Sequence, residues 1–316
     1  RWQQSSFRQK KIMLFESSYQ KVKKKYLKFL DSQEVLSEPF RDKLGQLNNF
    51  YIPLSEIIYK SYLKNKKTKI IGLTGGQGSG KSTISNILKI ILKEGYKLNT
   101  VTFSIDDFYK TLKDRKQMSK KVSRLFLTRG VPGTHDTNLL YNCLKKLKKS
   151  NFKKIWIPKF DKSIDDRSPK KKWQKIIKMQ DIVIFEGWCV GVGPQKKKDL
   201  TIPINKLEKE KDKKKVWRQK VNQELKNDYN KIFKLIDKYI FLKVPSFKHV
   251  YKWRLLQEKK LKTTSKGKKI MDDKQIKNFI MFYERITKNM LKDFNKLSHF
   301  VINIDDKHRL KSIKYK

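Results

Sequence analysis

The sequence predicts an α/β fold in which a mostly parallel sheet is covered by helices on both faces, preceded by an N-terminal helical extension. Three observations predict it. Short apolar, β-branched runs recur near residues 69–74, 100–105, 154–159, 181–185, 238–244 and 299–304. Helix-like stretches separate these runs, and such alternation builds parallel sheets whose two faces are both buried. The first run breaks into a glycine-rich turn and then an apolar helix pattern, giving a strand–loop–helix unit. With 37% hydrophobic and 12% aromatic residues in a chain of 316, there is ample material for a core.

Residues 1–67 place apolar side chains at helical spacing among lysines, as in Ile12, Phe15, Tyr19, Val22, Tyr26, Leu27 and Leu30. This stretch is read as a helical extension, and 68–316 as the main domain. Next comes IIGLTGGQGSGKST, residues 70–83. It matches G-x-x-x-x-G-K-[ST], a loop whose backbone N–H groups wrap a phosphate chain. The fold is therefore read as that of a P-loop NTPase. Gly75, Gly76, Gln77, Gly78, Ser79 and Gly80 form the cradle, and side chains at its glycines would block the approach or forbid the dihedrals. Lys81 would reach the β- and γ-phosphates, Ser82 would bind Mg²⁺, and Thr83 completes the motif. The helix that follows carries Ile84, Ile87, Leu88, Ile91 and Leu92 on one face and points its positive end at the anion. ATP and Mg²⁺ are the expected nucleotide and metal.

The run at 100–105 ends in Asp106 and Asp107, which puts two carboxylates at the C-terminal edge of the sheet, where open α/β folds bind ligands. Such a carboxylate can orient an attacking hydroxyl and take its proton, or hold Mg²⁺ through water. IVIFEGW, residues 182–188, is a buried strand delivering Glu186 beside the phosphate loop. A lone Glu followed by glycine suits metal organisation and supplies no hydrolytic base, so the acceptor is read as a hydroxyl of a substrate and not water. Two loops, RGVPGTHD (129–136) and PKFDKSIDDR (158–167), mix cations, turn formers and acids. They suit a small hydroxy-carboxylate, with Arg129 or Lys162 for its carboxylate and Asp or His for its hydroxyls. Lys159, Asp161, His135 and Asp136 complete the substrate candidates. The charged segment 195–235 is expected to be helical in its second half and mounted on the surface, and the Lys-rich stretch 258–269 to be a mobile loop.

The formal charge of +48 raises a nucleic-acid reading. The excess is mostly lysine, whereas phosphate and base readers lean on arginine forks. The chain also has no alanine and is rich in Lys, Ile and Asn, as when nucleotide bias reshapes solvated positions. The charge is thus assigned mainly to solvated surface, with a nucleic-acid-associated NTPase kept only as a rival reading. Cys143 and Cys189 lack metal-ligand spacing and are expected as reduced thiols in a cytoplasmic protein. No apolar run reaches membrane-spanning length, and no signal-type stretch follows Arg1.

Taken together, GGQGSGKST, SIDDFY, RGVPGTHD, PKFDKS, FEGWCVG, VYKWRLLQE and VINID run in an order that resembles the P-loop small-molecule kinases of the phosphoribulokinase, uridine kinase and pantothenate kinase group, most of all the D-glycerate 3-kinases. The resemblance covers about 70–305. It implies an ATP- and Mg²⁺-dependent kinase acting on the 3-hydroxyl of D-glycerate, with a nucleoside, pantothenate or another small alcohol as the alternative acceptor. It implies Asp106 as the general base, Lys81 and Ser82 serving nucleotide and metal, and Glu186 as the strand-end acid near Mg²⁺. Asp107 would assist metal or substrate. Arg254 resembles an arginine of a lid at about 246–270 that closes over the transferring phosphate. One departure stands out: the loop after PKFDKS reads IDDRSP and is shorter than the Gly-containing version of the family.

Overall fold

The computed structural model describes residues 2–34, 39–149, 151, 154–264, 271–294 and 297–316. Among them, six strands form the central sheet: β1 (Lys69–Gly75), β2 (Thr100–Ser104), β3 (Ile182–Gly187), β4 (Lys238–Lys243), β5 (Phe300–Ile304) and β6 (Leu310–Tyr315). The spatial order is β6-β5-β4-β1-β3-β2. β1 pairs in parallel with both β3 and β4, β2 with β3, and β4 with β5, while β6 closes one edge antiparallel to β5. The phosphate-loop strand thus sits in the middle of the sheet.

Side chains alternate between two cores because successive strand residues point to opposite faces. Ile70, Val183, Phe185, Phe241 and Val301 lie in one cluster, and Ile71, Leu73, Ile182, Ile184, Ile240 and Leu242 in the other. With both faces covered, continuous apolar runs such as IVIF are what the strands require. The second core also takes Val22, Tyr26, Leu30, Leu54 and Ile58 from helices Trp2–Gln33 and Ile52–Leu63, together with the apolar face of the helix Lys81–Glu94. Glu94 of that helix pairs with Lys21 and Lys25.

Three expectations change. The run at 154–159 is a strand, Ile155–Ile157, but it pairs antiparallel with Gln174–Ile176 in a separate ribbon and takes no place in the sheet. The segment 195–235 is helical in its second half, yet it is not surface-mounted. Trp217, Val221, Leu225, Tyr229, Ile232 and Phe233 are buried in the first core, a stripe masked in the sequence by intervening lysines. The helix Phe247–Thr264 runs through residues 258–264 of the expected loop, and 265–269 lie outside the described residues. Cys143 and Cys189 are free and buried, and among the described residues no helix is long and apolar enough to cross a membrane.

Candidate active site

Four loops meet at the C-terminal edge of the sheet, because β1, β2, β3 and β4 run parallel and end side by side. β1 leads into the phosphate loop. Gly78 (φ +75°) and Gly80 (φ +81°) occupy the left-handed region that L side chains avoid. At Gly78 a Cβ would also lie 2.8 Å from Trp253 Cβ. The helix Lys81–Glu94 begins directly after this turn, so its first-turn N–H groups, which have no intrahelical acceptor, line the loop. Ser79 Oγ and Gln77 Oε1 are buried in the loop without a hydrogen-bond partner among the described residues. Lys81 Nζ donates to the carbonyls of Gly75 (3.0 Å) and Gly76 (2.8 Å). Burial lowers its pKa, and the nearby charges of Glu186 and Asp106 work against that fall.

Ser82 Oγ donates to Glu186 Oε1 at 2.9 Å. Glu186 is buried, which raises its pKa; Asp106 raises it further, while Lys81 and the Ser82 hydrogen bond pull it down. Gly187 is there for packing: a Cβ would come within 2.4 Å of Ile105 Cγ2. The turn that carries Asp106 can therefore press against the end of β3.

That turn, Ile105–Phe108, is a 3-10 turn closed by a capping box in which Ser104 Oγ accepts from Asp106 N and Asp107 Oδ2 accepts from Ser104 N. Asp107 spends one oxygen on its own turn and the other on Lys159 Nζ at 3.0 Å. Asp106 projects outward, with Oδ1 accepting from the Tyr109 hydroxyl (2.8 Å) and Oδ2 from Lys162 Nζ (2.8 Å). Burial pushes its pKa up, but the Lys162 charge, both hydrogen bonds and nearby His135 outweigh this and hold it well below the usual carboxylate range. Lys162 is correspondingly raised by Asp106. Mutual electrostatic influence among Lys81, Asp106, Lys162 and Glu186 places the four in one neighbourhood.

The remaining candidates divide. Lys159 and Lys162 face the acids. Asp161 caps its own loop, accepting from the N–H and hydroxyl of Ser163. Arg129 pairs with Asp165 and lies over the Phe160 ring at 5.5 Å. His135 is fully buried, its Nδ1 2.5 Å from the Tyr229 hydroxyl. Asp136 N-caps the helix Thr137–Leu147 through Leu139 N and pairs with Arg167 at 3.1 Å. His135 is thus enclosed, whereas the Asp136 side chain stays partly exposed. Arg254 is held by Glu258 and by Gln257 Oε1 (2.8 Å), over the Phe279 ring. The helix Phe247–Thr264 touches the loop through Trp253, which packs on Gly78 and against the ring of His308, 3.9 Å between centroids. His308 Nε2 is 3.0 Å from the Gly78 carbonyl oxygen.

Several important residues escaped the sequence reading. Arg115, with no exposure, binds the carbonyls of Leu127 (2.7 Å) and Asp165 (2.5 Å) and the Asp165 carboxylate (3.1 Å), fixing the loop that carries Lys162. Its setting, LKDRKQ, reads as solvated helix. Tyr229 and His308 likewise sit outside any recognisable motif, whereas Trp253 lies within VYKWRLLQE. The available signals were the tyrosine of SIDDFY, three residues beyond Asp106, and the tryptophan of VYKWRLLQE.

The residues present fit a magnesium nucleotide. The donors near the loop are hard oxygens, Ser82 Oγ and the carboxylates of Glu186 and Asp106, of the kind Mg²⁺ prefers. Buried Ser79 Oγ adds an orphaned donor within the anion cradle.

Comparisons with known proteins agree with this geometry. The phosphoribulokinase/uridine kinase family profile matches residues 70–222. "Uncharacterized kinase mug58" of Schizosaccharomyces pombe is 35% identical over 222 residues, 68% of this chain and 78% of that protein. The chloroplastic D-glycerate 3-kinase of Arabidopsis thaliana is 28% identical over 258 residues, covering 76% of this chain and 53% of its own length. The solved structure of D-glycerate 3-kinase from Cryptococcus neoformans superposes with a TM-score of 0.70 at 26% identity, over 86% of this chain and 99% of that one.

Proposed function

The chain belongs to the phosphoribulokinase/uridine kinase family, and on that footing we propose that it moves the γ-phosphoryl group of ATP onto the 3-hydroxyl of D-glycerate. The observation that carries the reading is Asp106, held between the phosphate loop and a lysine loop, with Lys162 on its outward oxygen. Lys162 has a side chain 61% exposed, so its pair with Asp106 is partly screened and exchangeable. A small hydroxy acid would offer Lys162 a second carboxylate. As Lys162 turns to it, Asp106 loses its strongest neutralising neighbour and becomes more basic at the moment the acceptor hydroxyl arrives.

In the proposed reaction, the loop amides and Lys81 hold the phosphates, and Lys81 exchanges its two carbonyl partners for phosphate oxygens. Asp106 Oδ2 orients the hydroxyl and takes its proton. Phosphoryl transfer passes through a loose transition state, so positioning matters more than base strength, and an aspartate of low pKa is adequate. Ser82 and Glu186 would hold Mg²⁺, which would supply charge neutralisation for phosphoryl transfer. Arg254 would leave Glu258 to reach the transferring group when the lid closes. The D-glycerate assignment is supported by the two D-glycerate 3-kinases among the similar proteins.

The test is ADP release by purified protein with ATP and a panel containing D-glycerate, L-glycerate, pantothenate, uridine and glycerol. Preferential turnover of D-glycerate is expected. Turnover of uridine or pantothenate with D-glycerate inert would defeat the acceptor assignment and leave the kinase chemistry standing.

A further inference from the structure

The two oxygens of Asp106 are not equivalent. Oδ2 meets Lys162, an exposed side chain on a loop, and can change partner. Oδ1 meets Tyr109, which is 3% exposed and has nowhere to go. The Tyr109 ring stacks on His135 (centroids 4.5 Å apart, planes at 20°) and meets Phe160 edge-on at 5.2 Å. Backbone bonds from Lys110 N to Thr134 O and from Asp136 N to Phe108 O, both 2.8 Å, stitch the tyrosine's segment to that of the histidine. Behind the stack, the Tyr229 hydroxyl binds His135 Nδ1 and accepts the N–H of Gly133 at 3.0 Å. Tyr229 is the last residue of a π-helical turn, Leu225–Tyr229, a widening of the helix that re-aims a side chain and recurs at functional sites.

We infer that Tyr109, braced by His135 and Tyr229, is a positioning residue that pins Asp106 Oδ1 and so presents Oδ2 alone to the acceptor hydroxyl. The inference rests on the proposed role of Asp106 as the base. A carboxylate tied at one oxygen cannot swing about its terminal torsion, which is otherwise broad and two-fold. The reacting oxygen then stays in line with the phosphate loop, and placement of this kind is a large part of the rate in such reactions. The brace also accounts for a fully buried histidine in a loop next to the site: it is a flat support for the tyrosine.

Tyr109→Phe keeps the ring and its stacking and removes one hydroxyl. It should lower kcat about tenfold, the worth of one charge-assisted hydrogen bond, with KM for ATP and acceptor changed less than twofold. In an Asp106→Asn background, read by single turnover, the same substitution should add less than twofold, because the tyrosine acts only through the aspartate. Tyr229→Phe, which leaves Tyr109 intact, should reduce kcat about threefold and add nothing in the Tyr109→Phe background. Unchanged kcat in Tyr109→Phe, or its full loss repeated on top of Asp106→Asn, would overturn the inference while leaving the kinase reading intact. An Asp106→Asn enzyme with normal kcat would instead bring down the base assignment and the inference with it.

Discussion

Lowering the pH from 7 to 5 should weaken the fold through His135. The ring is fully buried, and burial brings its pKa from 6.5 down to about 3, against an opposing pull from Asp106. The unfolded chain takes up a proton near pH 6.5 while the folded protein does not. A depressed histidine therefore makes stability rise with pH between about 3 and 6.5, and the loss on acidification begins as pH falls through 6.5. Integrating from pH 7 to 5 gives a loss of about 2 kcal/mol, from a total that for a typical domain is about 5–15 kcal/mol. Glu186 works the other way, since its raised pKa adds stability at low pH that is lost as pH rises, and His299 is lowered like His135. The histidine is isolated by His135→Gln, which keeps a hydrogen-bonding partner for Tyr229 and cannot titrate. Urea unfolding followed by tryptophan fluorescence at pH 7, 6 and 5 gives the two stability curves. The wild type should lose about 2 kcal/mol more than the variant over this range. Parallel curves would refute the argument, because they would mean that His135 is charged or solvated in the folded state.

Lys162→Gln should raise KM for D-glycerate at least about tenfold and leave KM for ATP unchanged, as expected when one charged partner of a carboxylate is lost; steady-state kinetics with each substrate varied checks the split. Gly78→Ala forces a side chain into φ +75° and to 2.8 Å from Trp253 Cβ, so the loop must deform. The stabilisation that ATP gives the wild type, about 2.7 kcal/mol at a hundred times Kd, should vanish in a thermal-shift titration of this variant. Arg254→Ala should cut kcat by about 10³-fold if the lid arginine reaches the transferring phosphate, and a loss below tenfold in ADP release would leave it as a partner of Glu258 only.

Residues that carry chemistry next to a strand end were legible in the sequence, because a strand fixes where its last residue lands. Glu186 is the penultimate residue of β3, Asp106 lies two residues past β2, and Ser82 is in the first turn of the helix that the phosphate loop joins to β1, so all three arrive at one edge. Residues that act through partners far along the chain were not. Tyr229 meets His135 across 94 positions, and His308 meets Gly78 across 230. No local pattern encodes such contacts; they depend on the sheet order β6-β5-β4-β1-β3-β2, which periodicity does not set. The same blindness produced the errors: Ile155–Ile157 has a strand composition but pairs outside the sheet, and the buried stripe from Trp217 to Phe233 was hidden by charged neighbours.

The charge of the whole molecule also misleads about the site. At +48 the surface is strongly basic, yet fields of exposed lysines are damped over about 8 Å at physiological salt. Within the site the balance is local: Asp107 is matched by Lys159, Asp106 by Lys162, and Glu186 by Ser82 with Lys81 nearby. An arriving anion gains little from the overall excess. On the proposed reading it gains from cations that can change partner, and the two lysines of the 158–163 loop are exposed enough to do so, their side chains 60% and 61% accessible. Arg129 and Arg115 are committed to Asp165 and keep that loop in place. Arginine thus builds the wall, and in the proposed reading lysine is left to meet the ligand, a division that suits the rigid multidentate fork of the one and the flexible point charge of the other.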